Sequence, residues 1–83
     1  MDFYYTYVLK SSELKPVTYV GYTKNLNERI KLHNKGKGAK FTRGRKWKLI
    51  YKEKFKTKRL AILRENYIKK NRKLRNYIID NFL

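Results

Sequence analysis

Two aromatic and β-branched segments near the N-terminus constrain the fold of this chain most strongly. Residues 3–10 (FYYTYVLK) and 17–23 (VTYVGYT) have the composition of β-strands, and turn-forming residues separate them (SSELKP). The pair predicts an antiparallel hairpin. Gly21 interrupts the second strand, where a glycine marks a bulge or a close approach of another group to the backbone.

A third strand is predicted over residues 47–55 (WKLIYKEKF). Its side chains alternate, so that one side of the strand carries Trp47, Leu49, Tyr51, Glu53 and Phe55.

Three further segments have the spacing of amphipathic helices. The first begins after Thr23 or Asn25, both candidate N-caps, and carries Leu26, Ile30 and His33 on one face. The second follows Thr57 over residues 58–71, with Leu60, Leu63 and Tyr67 on one stripe and Ala61 and Ile68 beside it. The third covers residues 72–83 through Leu74, Ile78 or Ile79, and Phe82 or Leu83.

The order β-β-α-β-α-α predicts a small α+β domain built on a three-stranded sheet. Its 83 residues suit one domain, residues 1–83, and without cysteine the core depends on packing alone. No stretch has the length and apolarity of a membrane span, and the N-terminus lacks the pattern of a signal peptide. We therefore expect a cytoplasmic protein.

Charge points to a polyanionic partner. The chain has 23 Lys and Arg against 6 Asp and Glu, a formal net charge of +17. Such a surface repels itself unless a polyanion is near, and nucleic-acid backbone is the commonest one. The plainer interpretation is a solvated lysine-rich surface, and a membrane-surface binder is less favoured because the basic residues form no single amphipathic helix.

The most basic segment, residues 35–48 (KGKGAKFTRGRKWK), holds three glycines and no acid, and predicts an exposed loop. Phe41 and Trp47 lie within it. They suit stacking on an unpaired base, while Trp47 equally suits a core position at the start of a strand. The predicted nucleic-acid contacts are Lys35, Lys37, Lys40, Arg43, Arg45, Lys46, Lys69 and Lys70.

Several polar residues stand on otherwise apolar stripes. Glu65 lies on the flank of its helix stripe, either as an ion-pair partner of neighbouring basic residues or as a ligand of a divalent cation. His33 shares a helix flank with Arg29, which suits either plain packing or the binding of a phosphate. Tyr7 and Tyr19 are predicted on one face of the hairpin, as a stabilising aromatic pair or as hydroxyls that position a water.

The acids are too scattered for a two-metal nuclease site, since no two of them form a paired motif: Asp2, Glu13, Glu28, Glu53, Glu65 and Asp80. The chain also lacks the GxSxG, HExxH, CxxC and phosphate-loop motifs. Any hydrolytic chemistry would depend on one metal together with tyrosine, arginine and histidine.

In this order and spacing, the motifs resemble the GIY-YIG nuclease family, in particular its small stand-alone bacterial members related to the catalytic domain of the excision-repair nuclease. The resemblance rests on Tyr5-Thr6-Tyr7, on Tyr19-Val20-Gly21, on NLNERIKLHNKGKGAKFTRGR with Arg29 and His33, and on AILRENYIKK with Glu65. It covers nearly the whole chain.

The resemblance implies an antiparallel sheet flanked by helices and hydrolysis of phosphodiesters with one divalent cation, Mg²⁺ or Mn²⁺. Glu65 would hold the metal, and Tyr7 and Tyr19 would frame the attacking water. One of the two tyrosines would serve as the general base or assist it. Arg29 would stabilise charge on the phosphate, and His33 would assist proton transfer. Gly21 would form the cleft floor, close to the scissile strand or to the water shell of the metal.

Three features depart from the family pattern. The first motif lacks its Gly and Ile, Tyr22 replaces a lysine of the excision-repair branch, and a supporting asparagine corresponds to either Asn71 or Asn76. The expected function is DNA cleavage, on structured or single-stranded DNA in repair or recombination, with a protein partner that supplies target choice. The alternative is a non-catalytic module that binds DNA or RNA.

Overall fold

The computed structural model describes residues 2–81 and has the predicted order β-β-α-β-α-α. Its elements are β1 (Tyr4–Ser11), β2 (Thr18–Thr23), α1 (Leu26–Asn34), a 3₁₀ turn (Lys40–Thr42), β3 (Trp47–Phe55), α2 (Lys58–Lys70) and α3 (Arg72–Asn81). The last two predicted apolar positions of α3, Phe82 and Leu83, lie outside the described residues.

The three strands form one antiparallel sheet in the order β2-β1-β3. Tyr7 on the central strand pairs with Gly21, and Leu9 pairs with Tyr19. Because side chains alternate along a strand, this register puts Tyr7 and Tyr19 on one face, as the sequence pattern predicts. It also leaves β2 at a sheet edge.

A separate apolar cluster covers each face of the sheet. On the α1 side the buried members are Tyr7, Leu9, Leu26 and Trp47. On the α2 and α3 side they are Val8, Val20, Ile50, Ile68 and Ile78, with Leu74 and Ile79 packed against them. The aromatic and branched residues of β1 therefore serve both cores.

The alternation predicted for β3 is wrong beyond Ile50. The register between β1 and β3 shifts between Val8 and Leu9, where an extra residue of β3 is accommodated. Such a bulge reverses the faces of the residues that follow. Trp47 therefore packs on the α1 side while Tyr51 packs on the other.

Two helices begin at side-chain caps. Asn25, rather than Thr23, is the N-cap of α1, and its Oδ1 accepts the Glu28 backbone N–H at 3.2 Å. Thr57 caps α2 as predicted, accepting the Leu60 backbone N–H. Each bond satisfies one of the backbone donors that a helix start leaves without an internal partner.

Helix α2 buries a narrower stripe than its composition indicates. Ala61 and Ile68 are fully buried, whereas Leu60, Leu63 and Tyr67 are about half exposed. The helix is tied to β1 because the Thr6 hydroxyl donates to the Ala61 carbonyl at 2.8 Å. This close approach of α2 to the sheet brings the next turn of the helix, with Glu65, toward the edge of β2.

Replacement of Ile68 by alanine is expected to destabilise the domain by about 2–5 kcal/mol, because it removes a fully buried side chain and leaves a cavity. The matched change Leu63→Ala on the exposed side of the same helix should stay within about 0.5 kcal/mol. Urea unfolding followed by circular dichroism measures both. Equal effects of the two substitutions would contradict the described orientation of α2.

Candidate active site

A cleft of about 680 Å³ lies beside the edge of β2, between α1 and α2. Four of the predicted catalytic residues line it, namely Tyr7, Tyr19, Arg29 and Glu65. They come from two strands and two helices, and only the tertiary fold brings them together. Gly21, Tyr22 and Lys58 also contribute to its walls.

The fifth predicted residue, His33, lies behind the cleft and is 1% exposed. Its Nε2 is 2.8 Å from the Tyr7 hydroxyl, and its Nδ1 is 2.9 Å from the hydroxyl of Thr42. A buried chain of hydrogen bonds thus runs from the cleft through Tyr7 and His33 into the basic loop.

The tautomer of His33 follows from the donors in this chain. The Thr42 hydroxyl donates to the Ala39 carbonyl at 2.9 Å, so it accepts the proton of His33 Nδ1. Nε2 is then an acceptor, and within residues 2–81 it accepts the proton of the buried Tyr7 hydroxyl. We assign His33 as the neutral Nδ1–H form, because this arrangement satisfies every donor of the chain.

The pKa values of Tyr7 and His33 favour their neutral forms. Burial raises the pKa of Tyr7, as does the nearby Tyr19, whereas the charge of Arg29 opposes the shift and Glu65 adds to it. Burial also lowers the pKa of His33, and Arg29 lowers it further. Near neutral pH, a phenol therefore faces an unprotonated imidazole nitrogen.

Two glycines make room for these rings. A Cβ at Gly21 would lie 2.6 Å from the Tyr7 hydroxyl oxygen, and one at Gly38 would lie 2.7 Å from His33 Cγ. Contacts this short do not occur, so any side chain at either position would push its ring away. Within the protein, the group that approaches Gly21 is thus the Tyr7 phenol. Gly21 also lines the cleft, and the approach of nucleic acid or metal-bound water to it stays a prediction.

Tyr19 is the hub of an aromatic cluster at the end of the cleft. Its ring centroid lies 4.9 Å from that of His33 and 6.4 Å from that of Tyr7. Phe41 stacks on it at 6.3 Å and is 51% exposed. Trp47 is buried and its indole N–H donates to the Thr42 carbonyl, so this residue belongs to the core.

Glu65 and Arg29 bring opposite charges to the cleft. The Glu65 side chain is 13% exposed, and one of its oxygens is 3.0 Å from the ammonium of Lys69. The ion-pair alternative for Glu65 is therefore realised. The guanidinium of Arg29 forms no ion pair or hydrogen bond within residues 2–81, so it faces the cleft with its donors available.

The donors around Glu65 fit one hard divalent cation. A cationic group, the Lys69 ammonium, already pairs with the carboxylate. Oxygen donors of the exposed Glu28 and of several tyrosines line the same cleft. Within residues 2–81, no three side chains of His, Asp or Glu gather into a metal-binding group. The arrangement suits a cation that keeps most of its waters and takes a single protein carboxylate.

The predicted nucleic-acid residues divide into free and engaged side chains. Five of the loop residues are exposed, as is Lys70 on α2: Lys35, Lys37, Lys40, Arg43 and Lys46. Arg45 instead pairs with Glu13 at 2.7 Å and lies over the Phe41 ring, and Lys69 pairs with Glu65. The loop is also less exposed than expected, because Thr42 at its centre is fully buried.

Sequence reasoning missed Thr42 and Gly38. Neither stands on a periodic stripe, and their partner His33 lies on another element, so no local pattern marks them. Of the two asparagines left open, Asn71 caps α3 by accepting the Leu74 backbone N–H, and Asn76 lines a different groove. Neither of them lines the cleft that holds Glu65.

Comparison with known proteins places this cleft in a family. The family model described as the GIY-YIG catalytic domain matches residues 3–77. The chain belongs to the GIY-YIG family. Tyr7, Tyr19, Arg29, His33 and Glu65 all lie within the matched region, and the family is one of nucleases.

GIY-YIG relatives of similar size share the chain's sequence. A UPF0213 protein of Clostridium perfringens is 54% identical over 67 residues, 80% of this chain and 70% of the relative. Another, from Bacillus licheniformis, is 50% identical over 68 residues, 81% of this chain and 68% of the relative. These names assign no activity.

The fold is shared with a solved structure, the solution NMR structure of a UPF0213 protein from Bacillus halodurans. That chain is 34% identical, with a TM-score of 0.56, and the match covers 94% of this chain and 83% of the other.

Within residues 2–81, none of the helices combines the length and the apolar composition that a membrane span needs.

Replacement of Thr42 by valine should change the tautomer of His33, because it removes the hydroxyl that accepts from Nδ1. His33 is the single histidine of the chain, so its ring nitrogens are directly readable by ¹⁵N NMR. We expect the Nδ1–H form in the native protein and an appreciable Nε2–H population in the variant. Loss of the buried bond should also cost about 1–3 kcal/mol of stability.

Thr57→Val is the matched control, since it removes a capping hydroxyl, at a cost of about 1 kcal/mol, far from His33. It should leave the His33 spectrum unchanged. Identical spectra for native protein and Thr42→Val would refute the assigned hydrogen-bond chain.

Acidification below about pH 6.5 should reduce stability through His33, because burial holds its folded pKa below the ordinary value near 6.5. As the pH falls, the unfolded chain therefore binds the His33 proton before the folded protein does. The contribution of His33 to the free energy of unfolding is constant above about pH 6.5 and decreases below it. Urea midpoints at pH 7.5, 6.5 and 5.5 test this. His33→Gln should flatten the dependence; a steeper or unchanged slope in that variant would overturn the assignment.

Proposed function

We propose that this protein is a metal-dependent endonuclease that hydrolyses phosphodiester bonds in DNA. The observation that carries the proposal is the buried proton path from Tyr7 to His33, which opens on the same cleft as Arg29 and Glu65. A plain aromatic pair would need neither the acceptor nitrogen behind Tyr7 nor a carboxylate in front of it.

In this proposal Tyr7 is the general base, with His33 as its proton acceptor. Water in the cleft gives a proton to the Tyr7 oxygen while the phenol proton passes to His33 Nε2, and the hydroxide forms a bond to phosphorus. The P–O bond to the leaving group then breaks, the leaving oxygen takes a proton from solvent, and the proton held by His33 returns to solvent through Tyr7. The raised pKa of Tyr7 keeps its phenolate form scarce, and a neutral phenol is a poor base, so the neutral imidazole is required as the proton acceptor.

Tyr19 orients the same water from the edge of the cleft. Arg29, with no partner within residues 2–81, donates to the phosphate oxygens, where preorganised donors stabilise developing charge. Glu65 would hold one divalent cation, Mg²⁺ or Mn²⁺, which supplies Lewis-acid stabilisation of the phosphate and the leaving oxygen.

Substrate binding in this proposal depends on the exposed cations of residues 35–46 together with Lys70. Phosphate contacts of this kind position the strand without reading its sequence. The half-exposed Phe41 ring suits an unpaired base, which favours single-stranded or structured nucleic acid over intact duplex. The family match supports DNA over RNA as the substrate. We further propose a role in repair or recombination in the cytoplasm, with a protein partner for target choice. One domain over residues 1–83 stays a prediction.

A second candidate is a non-catalytic nucleic-acid-binding module. The observation that favours it is the Lys69 ammonium on Glu65, which satisfies the carboxylate without any metal. In such a module, Glu65 would serve only to hold α2, and cleavage would be absent under every metal condition.

Cleavage should require Glu65. With labelled single-stranded, flap and duplex DNA and matched RNA, the native protein should cut in Mg²⁺ or Mn²⁺ and not in EDTA. Glu65→Gln should lose at least about 100-fold in rate, the scale of one electrostatic catalytic group. Asp80→Asn, which removes the same charge on the exposed side of α3, should cut at the native rate.

Binding is measured on the same substrates by fluorescence anisotropy. Loss of cleavage with retained binding in Glu65→Gln supports the nuclease. Tight binding by native protein, without cleavage in any metal, would instead establish the binding module.

A further inference from the structure

A second groove, of about 530 Å³, lies on the other side of Tyr19 from the cleft. Its walls are the edge strand β2 with the residues that precede it, the Phe41 ring, and the basic ends of α2 and α3. Tyr19 lines both cavities, so the two are neighbours along the edge of β2. A nucleic-acid strand bound across the cleft would therefore reach this groove next.

Three cationic side chains line the groove, and they differ in whether their donors already have partners: Lys69, Arg72 and Arg75. Arg75 is engaged, since its guanidinium donates to the carbonyls of Ile68 and Lys69 at the end of α2. Arg72 is exposed and has no ion pair or side-chain hydrogen bond within residues 2–81. Arg75 thus holds the helix junction, while Arg72 presents an unused fork of donors to the groove.

Lys69 stands between the groove and the cleft. Its stem lines the groove, yet its ammonium reaches Glu65, which lines the cleft. The side chain is half exposed, so the ammonium can leave the carboxylate without moving the backbone. While the ammonium pairs with Glu65, less of its charge and fewer of its three N–H donors remain for a phosphate in the groove.

We propose that the groove binds a backbone phosphate of the nucleic-acid strand through Lys69 and Arg72, and that Lys69 becomes available when a divalent cation takes its place on Glu65. The inference depends on the proposed metal role of Glu65. Its consequence is coupling: metal and nucleic acid each strengthen the binding of the other, as linkage requires.

The charge and shape of the groove favour this occupant. Arg72 offers the planar donors that match phosphate oxygens, and the ammonium of Lys69 adds a mobile point charge. The apolar part of the remaining wall, with Val17, Phe41 and Ile79, suits the sugar and base of the same nucleotide. In a chain of net charge +17, a second copy of the protein is a poor alternative.

The test measures metal binding without catalysis. Calorimetry with Ca²⁺, a hard oxygen-seeking cation, is run with and without a 12-nucleotide single-stranded DNA, whose integrity is checked on a gel. The variants are Lys69→Met, Arg72→Met, Glu65→Gln and, as a matched control next to Arg72, Lys73→Met, which removes an exposed charge that lines neither cavity.

Without DNA, Lys69→Met should bind Ca²⁺ about two- to fivefold more tightly than native protein, because it lacks the competing ammonium. Lys73→Met and Arg72→Met should not. With Ca²⁺ present, Lys69→Met and Arg72→Met should each weaken DNA binding more than Lys73→Met does. DNA should increase the affinity for Ca²⁺ less in Lys69→Met than in native protein.

Each outcome has a distinct meaning. If Lys69→Met binds Ca²⁺ no more tightly than Lys73→Met, the exchange on Glu65 is refuted. If Lys69→Met and Arg72→Met weaken DNA binding no more than Lys73→Met, the phosphate site in the groove is refuted. If native protein and Glu65→Gln bind Ca²⁺ equally, Glu65 is no metal ligand, and the inference and the metal role in the proposed function both fail.

Discussion

The hydrogen bond between the Tyr7 hydroxyl and His33 Nε2 organises the half of this molecule that holds the candidate active site. It joins the central strand to α1, and through Thr42 it extends into the basic loop. Because the bond is buried, each group in the chain needs a partner, and a lost partner is costly. Gly21 and Gly38 are glycines because these rings lie against them.

The same region gathers cationic side chains around a partly buried carboxylate. Arg29 and Lys58 line the cleft with Glu65 and the exposed Glu28, and Lys69 pairs with Glu65 directly. In the proposed function, a phosphate backbone would lower the repulsion among these cations, and a divalent cation would compete with Lys69 for Glu65. Substrate and metal would then share one electrostatic balance, in which α2 contributes both the carboxylate and its counter-ion.

Local patterns predicted most of the fold, since strand composition, helix spacing and the Thr57 cap act over a few residues. The failures have long-range causes. The bulge at Ile50 arises from how β3 pairs with β1, so the alternation of side chains within β3 does not reveal it. Leu60, Leu63 and Tyr67 form the more apolar stripe of α2, yet Ala61 and Ile68 face the sheet. Small Ala61 permits the close approach that the Thr6 hydrogen bond requires.

By itself the sequence determined the element order, the basic surface and five candidate residues, because ordered motifs and composition need no knowledge of contacts. Tertiary structure alone decided what those residues touch. It placed Thr42 beneath His33, filled the space above Gly21 with a phenol, and set Lys69 against Glu65. The physical reason is that hydrogen bonding and burial depend on distances between elements far apart in the chain, which no local pattern contains.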